Sequence, residues 1–168
     1  MPIKTRSGVL SGFDMRLVEQ LIYEEGLRLE SYKCTAGHNT IGVGHNLDSQ
    51  PLYKGNLIPY SIDTEFAYKL LAQDLSDTYA GLDKNISWFS KMPAGARQDA
   101  LVLMAFQLGT AGVLKFKNML RYIEHGQYEN AALAALDSKW AKEDSPARAK
   151  RVAGQINLGL YYGIPNRK

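Results

Sequence analysis

Three side chains in the first quarter of the chain have the types and the spacing of a bond-cleaving site. Glu25 is followed after eight residues by Cys34, and Cys34 after five more by Thr40. Val18, Leu21, Ile22 and Glu25 fall at i, i+3, i+4 and i+7, so Glu25 lies on the apolar stripe of a helix while Glu24 points elsewhere. A carboxyl group there meets two pressures of the same sign. Desolvation and the negative end of the helix both favour its protonated form. Such a group can donate a proton near neutral pH as a general acid. Taken alone, a glutamate in this place is more often structural, paired with an arginine or lysine at the edge of the core. A helix end, a turn into a hairpin and its return strand would bring Cys34 and Thr40 to the same cleft. An acid, a second ionisable group and a hydroxyl able to hold a water together have the chemistry of glycoside hydrolysis.

Cys34 has its own ordinary reading, since a free cysteine is usually a small buried hydrophobe. A thiol near pKa 8.5 is only roughly 3% ionised at pH 7, and the charge of a neighbouring Glu25 would disfavour the thiolate further. If the sulfur acts, it serves as a weak base for water or attacks the anomeric carbon directly.

The elements that must position these groups are legible around them. Leu10-Ser11-Gly12-Phe13-Asp14-Met15 reads as a capping box with Ser11 as N-cap and Asp14 three residues on, and Leu10 and Met15 are placed as a hydrophobic staple. Gly26 stops the helix. Ala36-Gly37-His38-Asn39 is turn chemistry. Thr40-Ile41-Gly42-Val43-Gly44-His45 alternates and reads as one strand. A small antiparallel sheet is expected between about residues 31 and 60. Asp63 can cap a long helix with Phe66, Leu70, Tyr79 and Leu82 near one face, and Leu71 and Leu75 beside it. Helical apolar spacing continues over Ala94–Leu108, Val113–Glu124 and Tyr128–Trp140, punctuated by Gly109, Gly112 and Gly126. Ser145-Pro146 starts a last helix, with Ser145 as N-cap and Pro146 at the first helical position. The class is α+β, mostly α.

Composition excludes several alternatives. At 168 residues, 45% hydrophobic and 22% charged, the chain has one domain's worth of apolar residues and no sign of disorder. No run approaches the roughly 18 apolar residues of a membrane span. One cysteine excludes an internal disulfide and an all-cysteine zinc cluster. The opening MPIKTRSGVLSGFDMRL is basic but has no apolar core of a secretory signal, so synthesis in a cytoplasm is expected. Residues 1–84 hold 8 Lys and Arg against 11 Asp and Glu, and residues 85–168 hold 12 against 6. A basic second half can be mere surface solvation, or it can meet a polyanion: nucleic acid, an anionic membrane or a bacterial wall.

The segment EEGLRLESYKCTAGHNTIGVGH, residues 24–45, closely resembles the catalytic segment of the T-even phage type lysozymes, the endolysins of tailed phages. That family's pattern is Glu, eight residues, Asp or Cys, five residues, Thr, then I-G-x-G-H, and every element is present. Ala72-Gln73-Asp74, Phe106-Gln107-Leu108-Gly109 and Ser145–Val152 extend the resemblance, which runs from about Asp14 to Leu160. It implies a single lysozyme-like domain over 1–168: a small β-containing lobe at about 26–62, a connecting helix at 63–82, and a helical lobe made of 83–160 plus 11–25.

The resemblance also implies roles. Glu25 would protonate the glycosidic oxygen between N-acetylmuramic acid and N-acetylglucosamine in peptidoglycan. Thr40 would help hold the attacking water, and Cys34 stands where the type member has an aspartate acting on that water. His45 would pair with Asp74 as a structural bridge. Tyr32 would line the cleft, while Gln107 and Arg148 would contact the glycan or its peptide stems. The implied partner is peptidoglycan, with anionic wall polymers as a further one. No cofactor, metal, nucleic acid or stable protein partner is expected, and the chain should act as a monomer. It would wait in the host cytoplasm and reach the wall through a lesion made by a separate membrane-permeabilising protein. The sequence departs from the family at Ala36 (a glutamate there), Lys139 (an arginine) and Leu103 (an asparagine that touches substrate).

Two rival readings come from other chemistry. Cys34, His38, His45 and Glu25 could ligate zinc in a peptidoglycan amidase, although their spacing matches no usual zinc pattern. The basic run Lys139, Lys142, Arg148, Lys150 and Arg151 could make a non-catalytic, cationic wall-binding module. Glu143, Asp144 and Pro146 interrupt it, which argues against a membrane-lying helix.

Overall fold

The structure is a computed structural model that describes residues 8–55 and 57–165. The expectations for the first seven residues, including the reading of the N-terminus as lacking a signal, and the charges of the last three lie outside the described residues. Internal contacts divide the chain into two compact units, Met1–Ser76 and Asp77–Lys168. The secondary structure is mostly helical with one small antiparallel sheet, as the α+β reading expects.

The first unit opens with a short 3-10 turn at Gly8–Leu10 and helix α1, Met15–Glu25. The cap of α1 is Asp14, not Ser11. The Asp14 carboxylate accepts the Arg16 amide at 2.9 Å, while the Ser11 hydroxyl donates to the Gly8 carbonyl in the preceding turn. Ser11 is thus already engaged, and the nearer carboxylate takes the free N–H groups of the helix start. Leu17, Val18 and Leu21 are fully buried, and α1 ends at Gly26, whose N–H reaches the Ile22 carbonyl.

Strands β1 (Arg28–Lys33), β2 (Asn39–Gly42) and β3 (His45–Asn46) form an antiparallel sheet in the order β1-β2-β3. The stretch expected as one strand from Thr40 to His45 is therefore two strands with a turn at Val43-Gly44. Gly42 and Gly44 both have φ 66°. The alternation survives the turn because Ile41 and Val43 are both buried, which is why the pattern alone could not reveal it.

Helix α2, Thr64–Asn85, runs across the boundary of the two units. Asp63 caps it, accepting the Phe66 amide at 2.7 Å. Its buried residues are Ala67, Leu71, Leu75 and Leu82, whereas Phe66 is 39% exposed. The face is thus turned from the expected one. A β-carbon built on Gly42 would already stand in ordinary contact with Ala67, so the space between strand and helix here is narrow and suits a methyl group better than a phenyl ring.

The second unit holds α3 (Ala96–Leu114), α4 (Lys117–Glu124), α5 (Tyr128–Leu136) and α6 (Pro146–Leu158). Residues Ala100–Ala105 of α3 are buried on every side, which marks it as the unit's central helix. It runs past the expected end at Leu108 but breaks at Gly109, where φ is 74° and ψ 162°. The helix expected from Val113 starts only at Lys117, because Val113 and Leu114 close α3. The helix expected to reach Trp140 ends at Leu136. There the Ser138 hydroxyl donates to the Ala135 carbonyl and accepts the Ala141 amide, competing with the backbone ladder. A π-helical turn, Trp140–Asp144, follows. Ser145 precedes α6 with Pro146 at its start, yet its side chain makes no cap; its oxygen accepts from Gln107 instead. At the other end of α6, Arg97 donates to the Ile156 and Asn157 carbonyls. Among the described residues no single helix is long and apolar enough to cross a membrane.

Candidate active site

Glu25 is the last residue of α1, and the chain leaves it through Gly26 directly into β1. That path returns the backbone past the helix end within three residues. In the register of the sheet Tyr32 faces Thr40 and Lys33 faces Asn39. Directly opposed residues project to the same side of an antiparallel pair, so Tyr32 and Thr40 share a face. Cys34 follows β1 immediately, at the start of the turn to β2. Its N–H donates to the His38 carbonyl at 2.9 Å, and its carbonyl accepts the Gly37 amide at 2.8 Å.

Tyr32 reports the proximity of these groups. Burial, foremost, and the negative charges of Glu25 and Cys34 raise its pKa, against the lowering effect of Arg28, so the phenol keeps its proton across the neutral range. The Arg28 guanidinium carbon lies 4.1 Å from the Tyr32 ring centroid, a cation–π contact that holds the ring from β1.

The sulfur of Cys34 sits in a turn whose donors converge on it. The His38 backbone N–H has the largest influence and lowers the thiol pKa. Partial burial opposes it, and the Ala36 N–H, the Thr40 hydroxyl and the Gly37 N–H lower it further. This corrects the expectation that Glu25 would leave the thiolate more disfavoured than in a free thiol. Peptide dipoles arranged around an anion favour it as a nearby cation would. Thr40 is 4% exposed and also donates to the His38 carbonyl at 2.9 Å. Its single proton can lie on that carbonyl or on the sulfur.

Asp48, which the sequence reading did not single out, fixes the entry to β2. Its carboxylate accepts the Asn39 amide at 2.9 Å and the Asn39 side chain at 2.8 Å, and these bonds hold its pKa low. The pairing of an amide side chain with a carboxylate nine residues on is too common in sequences to have been picked out.

His45 of β3 and Asp74 of α2 form an ion pair at 2.8 Å, and the second ring nitrogen of His45 lies 3.0 Å from the Gln50 carbonyl. A carboxylate and a carbonyl are both acceptors, so only the doubly protonated ring donates to both. Burial by itself would lower the His45 pKa, but the hydrogen bond and charge of Asp74 with the Gln50 carbonyl carry it above the ordinary value. With both nitrogens donating, His45 has no lone pair to offer a metal. Among the described residues no group of three or more His, Cys, Asp or Glu is gathered to hold one.

Gln107 and Arg148 belong to the second unit. The Gln107 amide donates to Ser145 at 2.9 Å and accepts the Trp140 indole N–H at 3.0 Å. Arg148 is 8% exposed, with one guanidinium nitrogen 3.3 Å from the Leu103 carbonyl. Leu103 is wholly buried. Lys139 pairs with Asp144 at 3.3 Å, and Ala36 lies exposed in the Cys34 turn.

A family model described as phage lysozyme matches residues 23–158. The chain belongs to the phage lysozyme family. It is 36% identical over 176 residues to the pre-baseplate central spike protein Gp5 of Enterobacteria phage T4, covering 90% of this chain and 29% of that one. Against probable T4-type lysozyme 1 of Dictyostelium discoideum it is 30% identical over 161 residues, covering 84% and 93%. Against an endolysin of Salmonella phage P22 it is 32% identical over 130 residues, covering 76% and 83%. The chain thus spans less than a third of the spike protein and nearly all of the Dictyostelium lysozyme. As a phage lysozyme it is a glycoside hydrolase, and peptidoglycan is its substrate. The family match includes Glu25, Cys34 and Thr40 within one continuous stretch.

Proposed function

We propose that this lysozyme is an endolysin that hydrolyses the bond between N-acetylmuramic acid and N-acetylglucosamine, with Glu25 as general acid and Cys34 with Thr40 serving the water. The observation that carries the reading is the convergence of backbone N–H groups and the Thr40 hydroxyl on the Cys34 sulfur, with Tyr32 within electrostatic reach of both Glu25 and Cys34. Glu25 gives its proton to the glycosidic oxygen as that bond breaks. A water held by Thr40 attacks the anomeric carbon, and the Cys34 thiolate takes the proton the water releases. The products are two sugar ends, a Glu25 carboxylate and a Cys34 thiol. Exchange of a proton between them through solvent restores the starting state.

Tyr32 lines the site as a neutral donor, and Gln107 and Arg148 contact the glycan or its peptide stems. His45 and Asp74 hold the sheet to α2 and touch no substrate. The three catalytic groups come from residues 25–40 of one chain, so the reaction calls for no second subunit, no stable protein partner and no cofactor. The enzyme reaches the wall once a separate protein has permeabilised the membrane, and its basic half adds affinity for anionic wall polymers. The test is Glu25→Gln. Glutamine has the same shape and no proton to give, so lysis falls by about 10² to 10⁴ with the fold intact. Near-native lysis by this variant would remove the assignment.

A further inference from the structure

The turn between β2 and β3 comes so close to Glu25 that an added side chain would crowd it. A β-carbon built on Gly44 would lie 3.0 Å from Glu25 Oε2 and 3.2 Å from both its Cβ and its Cγ. Three atoms along one flank of the carboxyl side chain would thus be crowded by any side chain at this single position. Gly44 also has φ 66°, in the left-handed region that favours glycine. Those two requirements are separable, because Gly42 has the same φ of 66° two residues earlier. At Gly42 an added β-carbon would meet Ala67 and Ile62 at 3.7 to 3.9 Å, which is ordinary contact.

We infer that Gly44 is a positioning residue for Glu25, its backbone forming the wall against which the carboxyl is held. The inference rests on the reading of Glu25 as the acid for its effect on rate, but the contact itself does not. Glu25 sits at a helix end with a glycine behind it. The close approach of position 44 leaves no room for Glu25 rotamers that turn toward β3. A methyl group at position 44 pushes the carboxyl off its place by some tenths of an ångström and strips water from that flank. Displacement of a reacting group lowers kcat more than it changes KM, and desolvation favours the protonated carboxyl.

The experiment compares Gly44→Ala with Gly42→Ala in the full-length enzyme. Glutamate labelled with carbon-13 at the carboxyl is titrated by NMR, with the Glu25 signal assigned by its loss in Glu25→Gln, and kcat and KM are measured on soluble glycan. Both alanines share the backbone strain, so both should lower Tm, Gly44→Ala by at least as much as Gly42→Ala. Only Gly44→Ala should shift the Glu25 carboxyl resonance and raise its titration midpoint, with kcat down at least tenfold and KM within twofold. If Gly44→Ala does not fold, Gly44→Asn replaces it, since asparagine tolerates the left-handed region and still carries a β-carbon. An unmoved Glu25 resonance, or an equal shift in Gly42→Ala, overturns the inference. A moved resonance with unchanged kcat would leave the contact standing and instead count against Glu25 as the acid.

Discussion

A thiol surrounded by N–H donors behaves differently from one in an apolar pocket, and Cys34 is of the first kind. Its pKa is below the ordinary thiol value, so the fraction ionised at neutral pH exceeds the few per cent of a free cysteine. Cys34→Asp should keep substantial activity, because a carboxylate can also take a proton from water and can accept the same N–H groups. The ascending limb of its pH–rate profile should move to lower pH, since an aspartate ordinarily titrates near 3.9. Cys34→Ser should be far weaker, because a hydroxyl is no base in this range and nothing activates it as a nucleophile. Rates of wall lysis for the three proteins across pH check this. A serine variant as fast as the native enzyme would reduce the cysteine to packing. The residue types and their spacing were legible in the sequence. The favourable setting of the sulfur was not, because it is built from backbone groups that any sequence carries and only the turn geometry aims.

The elements hold the site through one ion pair that the sheet and α2 share. His45 and Asp74 are 6% and 14% exposed in their side chains, so removing one partner leaves the other largely buried. Asp74→Asn should cost about 3–5 kcal/mol, the usual size for breaking a buried pair. The pH dependence follows from the raised His45 pKa. The group is charged and paired in the folded state above the pH at which it loses its proton when unfolded. Its stabilisation is therefore complete below about 6.5 and disappears as pH rises through the folded value. Chemical denaturation of native enzyme and Asp74→Asn should differ most at pH 5 to 6 and least in alkaline solution; a gap that widens with pH would contradict the pairing. Helix existence was readable from apolar period throughout, as were the Gly26 stop, the Asp63 cap and the Pro146 start, but other ends were not. Ser11, Ser138 and Ser145 each present a cap-like hydroxyl, and tertiary or local partners decide which helix end, if any, it serves. The strand pattern over Thr40–His45 hid a turn because buried residues stand on both sides of it.

For the molecule as a whole, family membership and charge are the two facts that reach beyond any one element. The first half carries three more acidic than basic groups and the second six more basic than acidic. If the basic half adsorbs to anionic wall polymers, lysis of permeabilised cells should fall with rising salt as the contacts are screened. Neutralising Lys150 and Arg151 should weaken adsorption and leave hydrolysis of a short soluble glycan unchanged. A rate on whole walls that ignores salt would reduce the asymmetry to surface solvation. Charge alone could not choose among a wall, a membrane and a nucleic acid; the resemblance of residues 24–45 to the catalytic segment of the phage lysozymes did. The central claim is that this chemistry is cleavage after N-acetylmuramic acid, and the ends of the products test it most directly. Purified peptidoglycan digested with the enzyme should gain reducing ends carried by N-acetylmuramic acid, identified after borohydride reduction, with no gain in free amino groups. New amino groups without new reducing ends would contradict the account.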